Sequence, residues 1–162
     1  MHDLNVLENI AKALIRKSWM IAVAESCTGG LIAESLTHLS GSSAYFDRGF
    51  VTYSNEAKIE CLAVPESIIQ NHGAVSEACA CAMVAGVLAH SHANVAISVT
   101  GIAGPHGGSL EKPVGTVFLA WQIREQSPIV KRYLFSGARQ EIRESAKHEA
   151  LKYLLEMIQS NE

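Results

Sequence analysis

Twice in this chain a short apolar run ends abruptly in glycine. Residues 20–24 lead into Ser26-Cys27-Thr28-Gly29-Gly30, and residues 95–100 lead into a segment with five glycines and two prolines between Gly101 and Gly115. Runs of this length and character read as strands buried on both faces, the environment of a parallel sheet. Glycine at their ends lets the backbone turn sharply into a helix or lie close against a ligand. Helical patterns fill the intervals. Val6, Leu7, Ile10, Leu14 and Ile15 recur at helical spacing behind Asp3, a good N-cap, and predict a helix over Leu4–Lys17. After Gly30 the chain reads as helix as far as Leu39, stopped by Gly41. Ser54 caps a helix over 56–62, Pro65 restarts a short one that Gly73 ends, and Ser76 caps an alanine-rich helix to about Ala89. Residues 46–53 supply a further strand, and 117–123 with 129–135 form a hairpin around residues 124–128. A final helix over 138–159 offers Ile142, Leu151, Leu154, Leu155 and Ile158 to its buried side. Strands and helices that alternate and then close on a hairpin predict an α/β protein. The expected architecture is a three-layer α/β/α sandwich with a mixed sheet, as one domain over residues 1–162.

Composition narrows the partners. Of the 162 residues 48% are hydrophobic, enough for one core, and 18% are charged with a formal net charge of −3. That balance carries no basic excess to neutralise a polynucleotide, so nucleic acid is not an expected partner. No apolar run approaches the roughly 20 residues a membrane span needs. The start, Met1-His2-Asp3, lacks the profile of a secretory signal, so a cytoplasmic location with reduced thiols is expected. Cys27, Cys61, Cys79 and Cys81 show no CxxC spacing, and the His90, His92 pair reads as the polar end of a helix, so no metal site is expected.

Four segments could carry chemistry. Ser26-Cys27-Thr28-Gly29-Gly30 leaves a strand and enters a helix, where unpaired N–H groups and the positive dipole end favour an anion; otherwise Ser26 or Thr28 is simply a cap. It matches neither GxxxxGK[ST] nor GxGxxG. Tyr53 stands at a strand end with Lys58 about one turn beyond the following cap, and such a lysine is a base only if its pKa is lowered, or else a solvated charge. The segment from Thr100 and Gly101 through Gly104 to Gly108 has the glycine density of a main-chain nest, with His106 inside it as a ligand-binding or exposed turn residue. Finally, Arg139 and Arg143 sit four apart at the start of the last helix, against the usual dipole preference, and ask for an anion nearby.

Five motifs, in this order along the chain, closely resemble the CinA C-terminal domain family: Ala24-Glu25-Ser26-Cys27-Thr28-Gly29-Gly30, residues 49–58, His72-Gly73-Ala74-Val75-Ser76-Glu77, Thr100-Gly101-Ile102-Ala103-Gly104-Pro105 and residues 112–117. The similarity covers nearly the whole chain and is that of the stand-alone form, without the additional N-terminal domain of larger fused proteins. Residues 78–82 and His106 depart from the family's usual pattern. The resemblance implies hydrolysis of the carboxamide of nicotinamide mononucleotide, a small-molecule substrate, to the carboxylate and ammonia. It also implies a site in which Ser26 attacks the amide carbon while Lys58 and Tyr53 manage its proton. An alternative has Ser26 position a water that Lys58 or Tyr53 activates. The substrate would be bound by Thr28, Gly29, Gly30, Thr100, Gly101 and Gly104, with Arg139 or Arg143 on the 5′-phosphate, and without metal or cofactor. A catalytically silent mononucleotide-binding module is the competing function, and a symmetric homodimer is the expected assembly.

Overall fold

In the computed structural model the described residues are 3–161; Met1, His2 and Glu162 lie outside them, and with them most of the N-terminal segment read above for a secretory signal. The element order is α1 (Leu4–Lys17), β1 (Ile21–Glu25), α2 (Leu31–Leu36), a 3₁₀ turn (Ser42–Ala44), β2 (Phe46–Val51), α3 (Asn55–Leu62), α4 (Glu66–His72), α5 (Glu77–Ala89), β3 (Val95–Gly101), β4 (Thr116–Ile123), β5 (Ile129–Leu134) and α6 (Arg139–Ser160). The expected caps are in place: Asp3 accepts from Val6 N–H, Ser54 from Ala57 N–H and Ser76 from Cys79 N–H.

The five strands form one sheet in the order β2-β1-β3-β4-β5. β1 runs parallel to both β2 and β3, whereas β3, β4 and β5 are successively antiparallel, so the sheet is mixed. Side chains alternate across it. Ile21, Val23, Ile97, Leu119 and Trp121 face α1, α2 and α6 in one core; Ala22, Ala24, Ala96 and Ala120 face α5 with α3 and α4 against it in the other. Small strand residues on the second face let α5 approach closely enough for the Ser98 hydroxyl to donate to Ala80 O at 2.7 Å.

Three expectations shift. α2 ends at Leu36 rather than Leu39, because the Thr37 hydroxyl donates back to Ala33 O (2.8 Å) and His38 N–H closes a tighter turn on Ser35 O. Ile15 is 53% exposed, so the buried stripe of α1 is carried instead by Leu7, Ile10, Ala11, Ala13 and Leu14. Leu155 is only partly covered, and Met157 takes the core position beside Leu154 and Ile158. No helix of the described residues is long and apolar enough to cross a membrane.

The connections matter for function. From β1 the chain passes through α2, on one face, out to β2; from β2 it passes through α3 to α5, on the other face, back across to β3. The carboxyl ends of β1 and β3 therefore open a crevice at the point where strand order reverses, where open α/β sheets take their ligands.

Candidate active site

Ser26 follows β1 directly and is pinned by main-chain bonds on both sides. Its N–H donates to Val99 O (3.1 Å), and its carbonyl accepts from Gly29 N–H (3.0 Å). On the opposite edge of β1, Thr52 N–H donates to Glu25 O (2.9 Å), bringing the end of β2 alongside. The chain then turns at Ser54 into α3, whose first full turn delivers Lys58.

Lys58 is 1% exposed, and its Nζ lies 3.1 Å from Ser26 Oγ. Its other partners are carbonyls, Thr52 O at 3.0 Å and Tyr53 O at 3.4 Å. No carboxylate among the described residues pairs with it. Burial lowers its pKa from the ordinary lysine value, while the nearby Cys79 and Cys27 thiols act weakly the other way. Those thiols stay protonated: burial pushes Cys27 up to about 11 and raises Cys79 as well. A buried amine without a counter-ion, hydrogen-bonded to a serine hydroxyl, is the arrangement that makes lysine a base and serine a nucleophile.

Around this pair lies a cleft of about 270 Å³, lined by residues that include Tyr53, Asn55, Thr100, Gly104, His106 and Arg139. Its lining contains no Asp or Glu. A groove of about 680 Å³ between α1, α2 and α6 is larger, but the serine–lysine pair belongs to the smaller one. In the glycine-rich segment that lines the cleft, the main-chain N–H groups of Ala103, Gly104, His106 and Gly107 have no acceptor among the described residues.

Of the eleven residues named from sequence, the structure brings Ser26, Tyr53, Lys58, Thr100, Gly101, Gly104 and Arg139 to this cleft. Three of these also make bonds within the protein. The Tyr53 hydroxyl accepts from Arg139 Nη2 (2.9 Å) instead of serving Ser26, and it is the Tyr53 main-chain carbonyl that touches Lys58. Thr100 commits its hydroxyl proton to Ala74 O (2.8 Å). Arg139 also donates to Gly104 O (2.8 Å) and is not paired with Glu141, whose carboxylate accepts from Ala138 N–H.

Thr28, Gly29, Gly30 and Arg143 do not line the cleft. The positive end of α2, read from sequence as a place for a ligand anion, is filled by the chain's own Glu25. That carboxylate is fully buried and accepts from the Thr28 hydroxyl (2.6 Å) and from the N–H groups of Gly30 (3.3 Å), Ile32 (2.9 Å) and Ala33 (2.9 Å). Arg143 donates to Cys27 O (3.0 Å) and Thr28 O (3.1 Å). Sequence reasoning gave Glu25 no role. The available signal was a carboxylate closing a fully buried strand immediately before a helix start whose N-cap, Gly30, has no side chain. Cys27 and Asn55, which also line the cleft, carried no signal of their own.

A model of the CinA C-terminal domain family matches residues 3–158. The chain belongs to that family. Among its relatives, a protein of Enterobacter agglomerans named nicotinamide-nucleotide amidohydrolase PncC is 52% identical over 143 residues, covering 88% of this chain and 86% of the relative. A CinA-like protein of Syntrophobacter fumaroxidans is 48% identical over 145 residues, 90% of this chain, and the match spans only 34% of that longer protein. The crystal structure of the competence damage-inducible protein A (ComA) from Klebsiella pneumoniae superposes with a TM-score of 0.92 at 40% identity, covering 96% of both chains. Of the two departures from the CinA pattern, residues 78–82 lie in α5, where Cys79 and Ala80 are buried, and His106 stands exposed on the cleft wall.

Proposed function

We propose that this chain hydrolyses the carboxamide of nicotinamide mononucleotide to the carboxylate, releasing ammonia, with Ser26 as nucleophile and Lys58 as its base. The observation that carries the mechanism is the 3.1 Å contact between Lys58 Nζ and Ser26 Oγ in a buried site without a carboxylate partner. Kinship with an enzyme named for the amidohydrolase reaction supports the substrate. A silent binding module would not need to bury an uncompensated amine against a serine.

In the forward direction neutral Lys58 takes the Ser26 proton as Oγ bonds to the amide carbon, and the oxyanion meets free main-chain N–H groups of the 103–107 segment. Lys58 then returns the proton to the departing nitrogen, the C–N bond breaks, and ammonia leaves an ester on Ser26. Water, deprotonated by the same amine, attacks that ester; the Ser26 oxygen recovers its proton and the acid is released. The substrate's pyridinium charge makes its amide carbon more electrophilic throughout. Arg139, at the cleft mouth, binds the 5′-phosphate. Lys58 acts here without Tyr53, whose hydroxyl belongs to Arg139. A cytoplasmic location and a symmetric homodimer complete the proposal; size-exclusion chromatography with light scattering tests the second.

The deciding experiment is ammonia release from the mononucleotide by purified wild type and Ser26→Ala. Wild type turns over, and Ser26→Ala loses on the order of 10³-fold or more in kcat. Its folding free energy changes by roughly 1 kcal/mol, the net worth of one hydrogen bond. Mass spectrometry of a rapidly quenched reaction should find the acyl adduct on the peptide containing Ser26. Turnover without an adduct would favour the direct attack of water.

A further inference from the structure

We propose that Glu25 and Arg143 are positioning residues that clamp the Ser26 loop in its reactive geometry, and that Arg143 makes no contact with the substrate's phosphate. The inference rests on the reading of Ser26 as nucleophile. Residues 27–30 expose both donors and acceptors of main-chain hydrogen bonds, and two side chains of opposite charge satisfy them. Glu25 collects the donors: the Thr28 hydroxyl and the N–H groups at the start of α2. Arg143 collects the acceptors through two guanidinium nitrogens, Nε to Cys27 O and Nη2 to Thr28 O. Its third nitrogen is held by Gln140 Oε1 at 2.8 Å, so the fork is fixed from its own helix.

The loop's sequence is shaped around this clamp. Gly29 adopts φ +59°, which strains any other residue, and a Cβ there would lie 3.2 Å from Arg143 Nη2 and push the guanidinium back by a few tenths of an ångström. Gly29 in turn donates to Ser26 O. Arg143 therefore holds the carbonyls of Cys27 and Thr28, the two residues between Ser26 and Gly29, while Glu25 is the residue that precedes Ser26. The hydroxyl's 3.1 Å placement against Lys58 depends on that main chain staying still. Arg143 spends three of its five N–H donors on these contacts and does not line the cleft, so its fork is directed at the loop and not at a phosphate bound there. The two arginines that sequence put side by side thus divide: Arg139 faces the cleft, Arg143 faces the loop.

The test uses the whole chain, with Arg143→Ala, Arg143→Lys and Glu25→Gln. Three quantities are measured: kcat and KM on the mononucleotide and its dephosphorylated riboside, the rate at which a fluorophosphonate labels Ser26, and the thermal midpoint. Lysine keeps the charge but not the fork, and glutamine turns an NH₂ onto N–H donors, so all three loosen the loop. Expected for both Arg143 variants is a fall in kcat of roughly 10–100-fold, the scale of a small misplacement of a reacting group. It is shared equally by the two substrates, with little change in KM and a parallel fall in labelling rate. A KM increase confined to the phosphorylated substrate would make Arg143 a phosphate ligand and overturn the proposal. So would a lowered midpoint with kcat and labelling unchanged, which is what a purely structural residue gives. If Glu25→Gln does not fold, the Arg143 variants carry the test alone. If wild type releases no ammonia, the reading of substrate fails, while labelling still decides whether the clamp governs Ser26.

Discussion

At the scale of single residues, Lys58 concentrates most of the site's physics. Its neutral form is favoured because burial penalises the ammonium and no carboxylate offsets that penalty. The sign of the resulting pH dependence is fixed. With the folded pKa lowered, the unfolded chain binds more protons at pH values between the folded pKa and the ordinary value of about 10.4. The penalty to folding is complete below the folded pKa and is relieved as pH rises toward the unfolded one. The wild type should therefore gain stability relative to Lys58→Met between pH 7 and pH 10, read as a converging or reversing difference in urea midpoints. A pH-independent difference would mean that Lys58 is not neutralised in the fold. With Lys58 as the proposed base, its titration should set the acid limb of kcat/KM, and Lys58→Arg should abolish nearly all turnover, since arginine keeps its proton. The pairing with Ser26 was only partly legible beforehand. Their separation of 32 residues gives no local periodicity, and a lysine one turn into a short helix looks the same whether it ends in water or against a serine.

At the scale of elements, α6 shows how one helix serves two purposes. Ile142, Ala146, Ala150, Leu154 and Ile158 dock it on the sheet, and its first turn carries the arginines to the end of the sheet where the strands β1 and β3 finish. That docking lets Arg139 reach the cleft, and it makes a specific demand on the enzyme. Arg139→Ala should raise KM for the mononucleotide several-fold more than for the riboside, which lacks the phosphate; the two enzymes and two substrates together isolate the coupling. Equal losses on both would leave Arg139 as a brace alone. Secondary structure was the most legible level, because strands ending in glycine and helices starting at Asp3, Ser54 and Ser76 are local signals. The end of α2 was not, since it depends on a side chain, Thr37, competing for a carbonyl. Nor was the occupancy of its positive end. An acidic residue five positions earlier fills it, and only the tertiary turn at Gly29 and Gly30 brings that carboxylate back.

For the molecule as a whole, the site is assembled from β1, the β2–α3 connection, the segment after β3 and the start of α6, drawn from both helical layers. No part of the chain contains it alone. Trp121, fully buried under α6 with its Nε1 donating to Ala150 O at 3.0 Å, is a natural reporter of that assembly. Urea unfolding followed by tryptophan fluorescence and by ammonia release should give coincident transitions. Activity lost well before the fluorescence change would mean that the loops melt apart from the core. The three-layer plan was legible because it follows from element order, whereas the chemistry depends on contacts between segments far apart in sequence. One of those contacts changes how ligand affinity should be understood. Arg139 ties Tyr53 to Gly104 along the wall of the cleft. A phosphate that engages this guanidinium competes with bonds already made, so it gains the difference between two partnerships instead of the full value of one. The resting protein is in that sense its own weak competitor. Tyr53→Phe, which frees one guanidinium nitrogen, should lower KM for the mononucleotide and leave the riboside's unchanged; an unaltered ratio between the two would show that the tie is not in the ligand's way.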